Sequence, residues 1–384
     1  MAVKHDLTAA GGPLAAFAAM GLFWGGFAAL VPAIKARAGL GDEAFGMAML
    51  VSTCGAVLAM WAAPRAEARL GRAALPVLSL LMVSTFLLPG LSRGWWSFAL
   101  AMTAAGAAAG LLDVVMNAQV AALEAARRRP LMNLAHGTYS MVYAAAAILT
   151  GLAREAGAAP QPVFTGLAAA ALGCVALTLA APRVQHPDAG SGTATRLPGA
   201  LVTAAGLVVL IGFLTEQAAE GWSALHLERN LGAGAAAGAI GPALLGATMG
   251  AGRLFGQGLA RRVAPTGLLC GGALVAAAGG LLAAFAPTLM LAYAGFAALG
   301  LGASLLVPMG FAFVAARVTP EARAAAIARL SMIGYLGFFL GPPMMGVVSG
   351  AVGLAAAFAA VALVLCLVPL ALVPWMRRSA RAPA

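Results

Sequence analysis

Twelve apolar runs follow one another along this chain, separated by short breaks that hold most of its charge. They cover residues 13–34, 44–63, 73–91, 95–122, 131–153, 161–181, 198–222, 235–260, 264–286, 288–316, 327–349 and 352–375. Each is close to or above the roughly 20 residues that an α-helix needs to cross about 30 Å of hydrocarbon. Backbone groups in hydrocarbon must bond within the protein, which leaves helices or closed barrels. Runs of this length without strict alternation select helices. Only 9% of the 384 residues are charged and 62% are hydrophobic, whereas a soluble domain carries roughly 25% charged residues to face water. The expected fold class is all-α, an integral membrane protein of 12 transmembrane helices with the lipid bilayer as its solvent.

A net charge of +11 would suggest a nucleic-acid partner in a soluble chain. Here the basic residues stand at the ends of apolar runs, so no nucleic acid is expected. They set the orientation instead. One set of breaks holds Lys4 and the groups Arg65–Arg72, Arg127–Arg129, Arg183 with Arg196, Arg261–Arg262, Arg317–Arg329 and Arg377–Arg381. The alternate set holds Lys35, Arg37, Arg93, Arg154 and Arg229. The richer side is cytoplasmic by the positive-inside rule, which places both termini in the cytoplasm. Cys54, Cys174, Cys270 and Cys366 lie in separate runs, so neither a disulfide nor a metal site is expected.

The longest polar break, Pro182 to Arg196, is rich in Pro, Gly, Ser and Thr and lies at the midpoint with six runs on either side. Its composition is that of a flexible linker. The expected organisation is a six-helix bundle at 1–181, a cytoplasmic linker at 182–197 and a second six-helix bundle at 198–384. Arginine-bearing turns follow the second run (Arg69, Arg72) and the eighth (Arg261, Arg262), a weak internal repeat.

Ionisable side chains within the apolar runs cost several kcal/mol unless paired or wetted, so each is a candidate for function. Asp113 stands about 16 Å of helix rise before Glu124, near mid-membrane, and Asn117 is one turn further on the same face. Asn133, His136, Ser140 and Tyr143 fall at helical spacing and form one polar stripe, which should face a cavity or another helix. Glu216 lies in the outer third of its run, with Glu220 one turn later. Arg253 sits about 12 Å inside its boundary, too deep to snorkel with ease, so an internal partner is expected, with Asp113 as one candidate. Gly21/Gly25, Gly106/Gly110, Gly246/Gly250 and Gly337/Gly341 are spaced to let helices approach closely. Pro308 and Pro342–Pro343 should kink their helices. Trp24 and Trp222 can face a cavity, while Trp95, Trp96 and Trp375 stand at interface positions.

Several of these segments carry a family likeness. Asp113, Met116 and Asn117, then His136, Gly137 and Ser140, resemble a D-x-x-M-N and H-G-x-x-S pattern. Glu216 to Ser223 (EQAAEGWS) and Gly252–Arg253 add to it. With six plus six helices and a central linker, the chain resembles the major facilitator superfamily, and within it the fucose-permease-like sugar/proton branch. It departs from the superfamily's inner-loop motif, where Ala68 and Ala260 stand in place of aspartate and Glu67 is one residue away. The resemblance implies a proton-coupled secondary transporter of a small, sugar-like solute in the cell inner membrane, acting by alternating access as a monomer and without cofactors. Under that reading Asp113, Glu216 and His136 couple protons. Asn117, Asn133, Ser140, Tyr143, Trp24 and Trp222 contact the solute, and Arg253 is a gate.

Two other classes were weighed. A proton-antiport exporter of drugs usually shows a G-x-x-x-G-P-x-x-G-G run in the fifth helix, and this one, Tyr143 to Gly151, has no proline. A membrane enzyme or sensor would need a catalytic cluster or an added soluble domain. Of His5, His136, His186 and His226, only His136 was placed within the membrane, and no phosphate-binding loop appears. No enzymatic activity is expected.

Overall fold

The computed structural model describes residues 2–127, 131–179 and 198–380, and among them every regular element is helical. The expected linker at 182–197 lies outside the described residues. In chain order the helices are α1 (Ala2–Ala38), α2 (Asp42–Leu70), α3 (Ala74–Thr85), α4 (Trp95–Arg127), α5 (Met132–Glu155), α6 (Pro160–Thr178), α7 (Gly199–Leu231), α8 (Ala235–Ala260), α9 (Pro265–Phe285), α10 (Leu289–Ala303), α11 (Leu306–Ala315), α12 (Pro320–Val352), α13 (Leu354–Leu367) and α14 (Val373–Ser379).

Among the described residues, ten helical stretches are long and apolar enough to cross a membrane. One of them, Asp42–Leu91, is 50 residues long and turns at Gly71–Ala73 between α2 and α3, so it supplies two crossings. Helix α5 is 24 residues long, and its polar stripe keeps it less apolar than the others. It is nonetheless packed between α1 and α8 inside the bundle. The twelve runs read from the sequence therefore each correspond to helix, and the architecture is that of the major facilitator fold.

Proline marks one break within a span. Pro308 has no N–H to give the Ser304 carbonyl four residues earlier, and the tenth span divides there into α10 and α11. Pro342 and Pro343 lie inside α12, which is helical from Pro320 to Val352. The last span passes through a π-helical turn at Val368–Leu372, which contains Pro369.

All four glycine pairs lie at helix crossings. A Cβ on Gly25 would fall on the Tyr143 carbonyl, and one on Gly21 would meet Tyr139, so α1 and α5 touch backbone to backbone. Gly106 and Gly110 do the same for α4 against α2, and Gly337 and Gly341 for α12 against α7, while Gly246 and Gly250 seat the side chains of Tyr143 and Ser140 against α8. Without a hydrophobic drive between helices in lipid, close van der Waals packing of this kind holds them together. Helices α5 with α8, α2 with α12, and α1 with α7 join the first six spans to the last six.

Candidate functional site

The polar side chains within the bundle come from five helices. On α4, Asn117 donates from Nδ2 to the Asp113 carbonyl at 2.8 Å and to Asp113 Oδ1 at 3.0 Å, the one-turn spacing making both bonds possible. On α5, His136 meets Phe17 edge-on at 5.1 Å, with half-buried Asn133 about one turn before it. Helix α7 supplies Glu216, Gln217 and Glu220, α8 supplies Arg253, and α12 supplies Tyr335, close to coplanar with Phe213 at 5.8 Å. Tyr139 is their meeting point, since it lies within electrostatic reach of Glu216, Glu220, Arg253 and Asp113 together. His136 lies within reach of Arg253.

Arg253 pairs with Glu216 at 3.3 Å. The candidate pairing with Asp113 is not formed, because Asp113 takes its hydrogen bond from its own helix and the α7 carboxylate is nearer the guanidinium. Glu220 accepts only from Gln217 Nε2, at 3.5 Å. Ser140 and Tyr143 are 2% and 1% exposed and are wedged between α1 and the glycines of α8. The stripe on α5 thus meets another helix at these two positions.

Trp24 and Trp222 come together. With Phe27, Ala28, Met49, Gln217, Glu220, Gly221 and Pro342 they line an internal pocket of about 10 Å³, room for about one water. Trp222 is 1% exposed, lies edge-on to Phe45 at 5.1 Å, and its Nε1 has no hydrogen-bond partner.

Beyond this pocket, towards the end of the bundle where α1 joins α2, lies a charged cluster that the sequence reading missed. Asp42 accepts from Lys35 Nζ at 2.6 Å, from Arg229 Nη1 at 2.7 Å and Nη2 at 3.1 Å, and from Ser349 Oγ. Beside it Arg154 pairs with Glu228 at 2.6 Å and donates to the Ala29 carbonyl at 2.7 Å. Glu155 accepts the Ala236 N–H at 3.0 Å at the start of α8, where the helix dipole favours a carboxylate. In the sequence Lys35, Arg154 and Arg229 serve only to set the orientation. The available signal was that Arg154–Glu155 and Glu228–Arg229 place an acid beside a base at two helix ends of the same side.

The family model of the Major Facilitator Superfamily matches residues 206–384. An uncharacterized MFS-type transporter of Yersinia pestis is 31% identical over 354 residues, 91% of each chain. The membrane protein MosC of Rhizobium meliloti is 29% identical over 343 residues, 87% of this chain and 82% of its own. Among solved structures, a mutant of the nucleoside transporter NupG covers 95% of this chain and 99% of its own, with a TM-score of 0.78 at 13% identity. A bacterial homolog of the human lysosomal transporter Spinster, inward-facing and unoccupied, covers 99% of both chains with a TM-score of 0.73 at 16% identity. The last two share the fold alone, while the Yersinia relative extends the likeness to sequence over nearly the whole length: the chain belongs to the major facilitator superfamily and is a multi-pass membrane transporter.

Proposed function

We propose that this transporter is a proton-coupled secondary carrier, moving a small, polar, sugar-like solute across the inner membrane by alternating access. It is not an enzyme in this reading. Residues 1–181 and 198–384 form two six-helix halves that rock about a central site, joined by the cytoplasmic linker 182–197, with both termini cytoplasmic and one chain sufficient. The observation that carries the reading is that Asp113 of α4, Glu216 and Glu220 of α7 and Arg253 of α8 all lie within electrostatic reach of Tyr139 on α5. Carboxylates at this depth are costly, and the Arg253 guanidinium, paired with Glu216, has Glu220 in electrostatic reach as well, while no cation pairs with Asp113 among the described residues. That excess supports Asp113, with Glu216 and His136, as exchangers of protons. Asn117, Asn133, Trp24 and Trp222 offer amides and rings to a hydroxylated solute, with Ser140 and Tyr143 supporting the wall behind them. Arg253, held by Glu216, acts as the gate residue we assign on α8. The likeness of Asp113–Asn117 and His136–Ser140 to the fucose-permease-like branch supports the sugar-like choice.

The test is uptake into proteoliposomes with an imposed pH gradient, across a panel of sugars and related polar solutes. Asp113→Asn should abolish uphill, proton-driven uptake while leaving the protein folded and downhill exchange measurable. Unchanged coupling would remove Asp113 from the mechanism.

A further inference from the structure

The pocket between Trp24 and Trp222 is lined by one carboxyl group, Glu220, that forms no ion pair among the described residues. Arg253 is engaged by Glu216 at 3.3 Å. Glu220, one turn further along α7, touches only the Gln217 amide, and among the described residues no lysine, arginine or histidine lies within ion-pair distance of it. Around it stand the rings of Trp24, Phe27 and Trp222, with Met49 and Pro342 completing an apolar wall.

We infer that this pocket receives a protonated amine of the transported solute, with Glu220 as its counter-ion. The inference deepens the transport reading and rests on it for the pocket being a solute site. Three features favour a cation over a sugar hydroxyl. A carboxylate shut among apolar groups gains most from an opposite charge that arrives with hydrogen-bond donors. Aromatic rings attract ammonium through the negative face of their π-systems. A space of about 10 Å³ accepts a group the size of one water, which fits –NH3+ and excludes a bulky head. The ammonium has three N–H donors, and the Glu220 oxygens and the Gln217 amide oxygen are acceptors on the pocket wall. Trp222 Nε1–H is buried without an acceptor on an indole that lines the same pocket, and a hydroxyl next to the amine would supply one. A solute bearing both groups satisfies each of these atoms, whereas an all-hydroxyl sugar leaves Glu220 without a counter-charge.

The protein purified in detergent at neutral pH is titrated with methylammonium, ethylammonium and glucosamine chlorides. Glucose and potassium chloride serve as neutral and ionic controls, and melting temperature and tryptophan emission are read. The expected result is a rise in melting temperature with each amine that the controls do not give, since a ligand of the native state stabilises it. Glu220→Gln should weaken that response by about tenfold or more, the scale of one lost charge-assisted hydrogen bond. If Glu220→Gln does not fold, Glu220→Asp takes its place under the same criterion, as the shorter carboxylate no longer reaches the amine. Amines without effect on the wild type, or an undiminished response in the folded variant, overturn the inference. Binding is read here without membrane or gradient, so loss of proton coupling in the proteoliposome assay leaves this result standing, and a failure here leaves that assay standing.

Discussion

Arg154 at the end of α5 and Glu228 near the end of α7 hold each other through two parallel hydrogen bonds, Nη1 to Oε1 at 2.6 Å and Nη2 to Oε2 at 2.9 Å. Their side chains are only 9% and 18% exposed. The planar guanidinium matches a carboxylate in this fork geometry, and a lysine cannot copy it. The same guanidinium reaches the Ala29 carbonyl, so one side chain ties α1, α5 and α7.

Breaking such a pair leaves a poorly solvated charge, which costs about 3–5 kcal/mol. Arg154→Met and Glu228→Leu should each lower thermal stability on that scale. The double variant should lose less than the sum, because neither charge is then stranded. Melting curves of the four proteins in one detergent form the cycle. Strict additivity would show that the pair contributes nothing through its contact.

Asp42 is the hub of the neighbouring cluster. Lys35, 3% exposed, has its ammonium on Asp42 Oδ1, and Arg229 and Ser349 bring α7 and α12 to the same carboxylate. Asp42→Asn should therefore loosen α2 from α7 and α12 and open the pocket from this end. In a background without the four native cysteines, Met49→Cys on the pocket wall should react faster with a membrane-impermeant maleimide once Asp42 is Asn. An unchanged rate would mean that this cluster does not close the end.

These clusters show where the sequence stops being readable. Asp113 and Asn117 are joined by helical periodicity, so their hydrogen bond follows from spacing alone, and the glycine pairs marked close crossings for the same local reason. Asp42 and Ser349 are 307 residues apart, and no local period brings them together. For Arg253 the sequence offers Asp113 as a candidate partner and sets Glu216 in the outer third of its run. Only the packing of α7 against α8 selects Glu216. The α5 stripe was visible as a stripe, but that Gly246 and Gly250 of α8 lie against Tyr143 and Ser140 depends on the register of two helices about a hundred residues apart in sequence. Depth and facing can be read from one helix, whereas partners require the bundle.

Gly25 tests the close crossing of α1 and α5. An added Cβ would fall on the Tyr143 carbonyl, and backbone there cannot move aside as a flexible side chain would. Gly25→Ala should destabilise by about 1–3 kcal/mol, the scale of overpacking in a filled core, and Gly25→Leu should do worse. Gly166, with nothing within 4 Å of its would-be Cβ, is the control: Gly166→Ala should leave the melting temperature unchanged or slightly raised, because alanine favours the helix. A melting temperature for Gly25→Ala equal to that of the control would show that α1 and α5 do not meet this closely.

Arg253 and Glu216 should behave unequally, and the inequality distinguishes a shared site from an isolated ion pair. If the two residues formed only a private contact, removing either would strand the other and the costs would be similar. Here Arg253 also lies within electrostatic reach of Glu220, so it offsets more than its hydrogen-bonded partner. Arg253→Gln leaves Glu216 and Glu220 with no nearby guanidinium. Glu216→Gln leaves a cation with Glu220 still in electrostatic reach. The expected outcome is that Arg253→Gln abolishes proton-driven uptake at all pH values tested, while Glu216→Gln retains part of it. Adding Glu216→Gln to Arg253→Gln should restore some stability by removing one stranded acid. Uptake and melting temperature measured on the two single variants and the double decide it, and equal losses in both singles would reduce Arg253 to the partner of Glu216 alone.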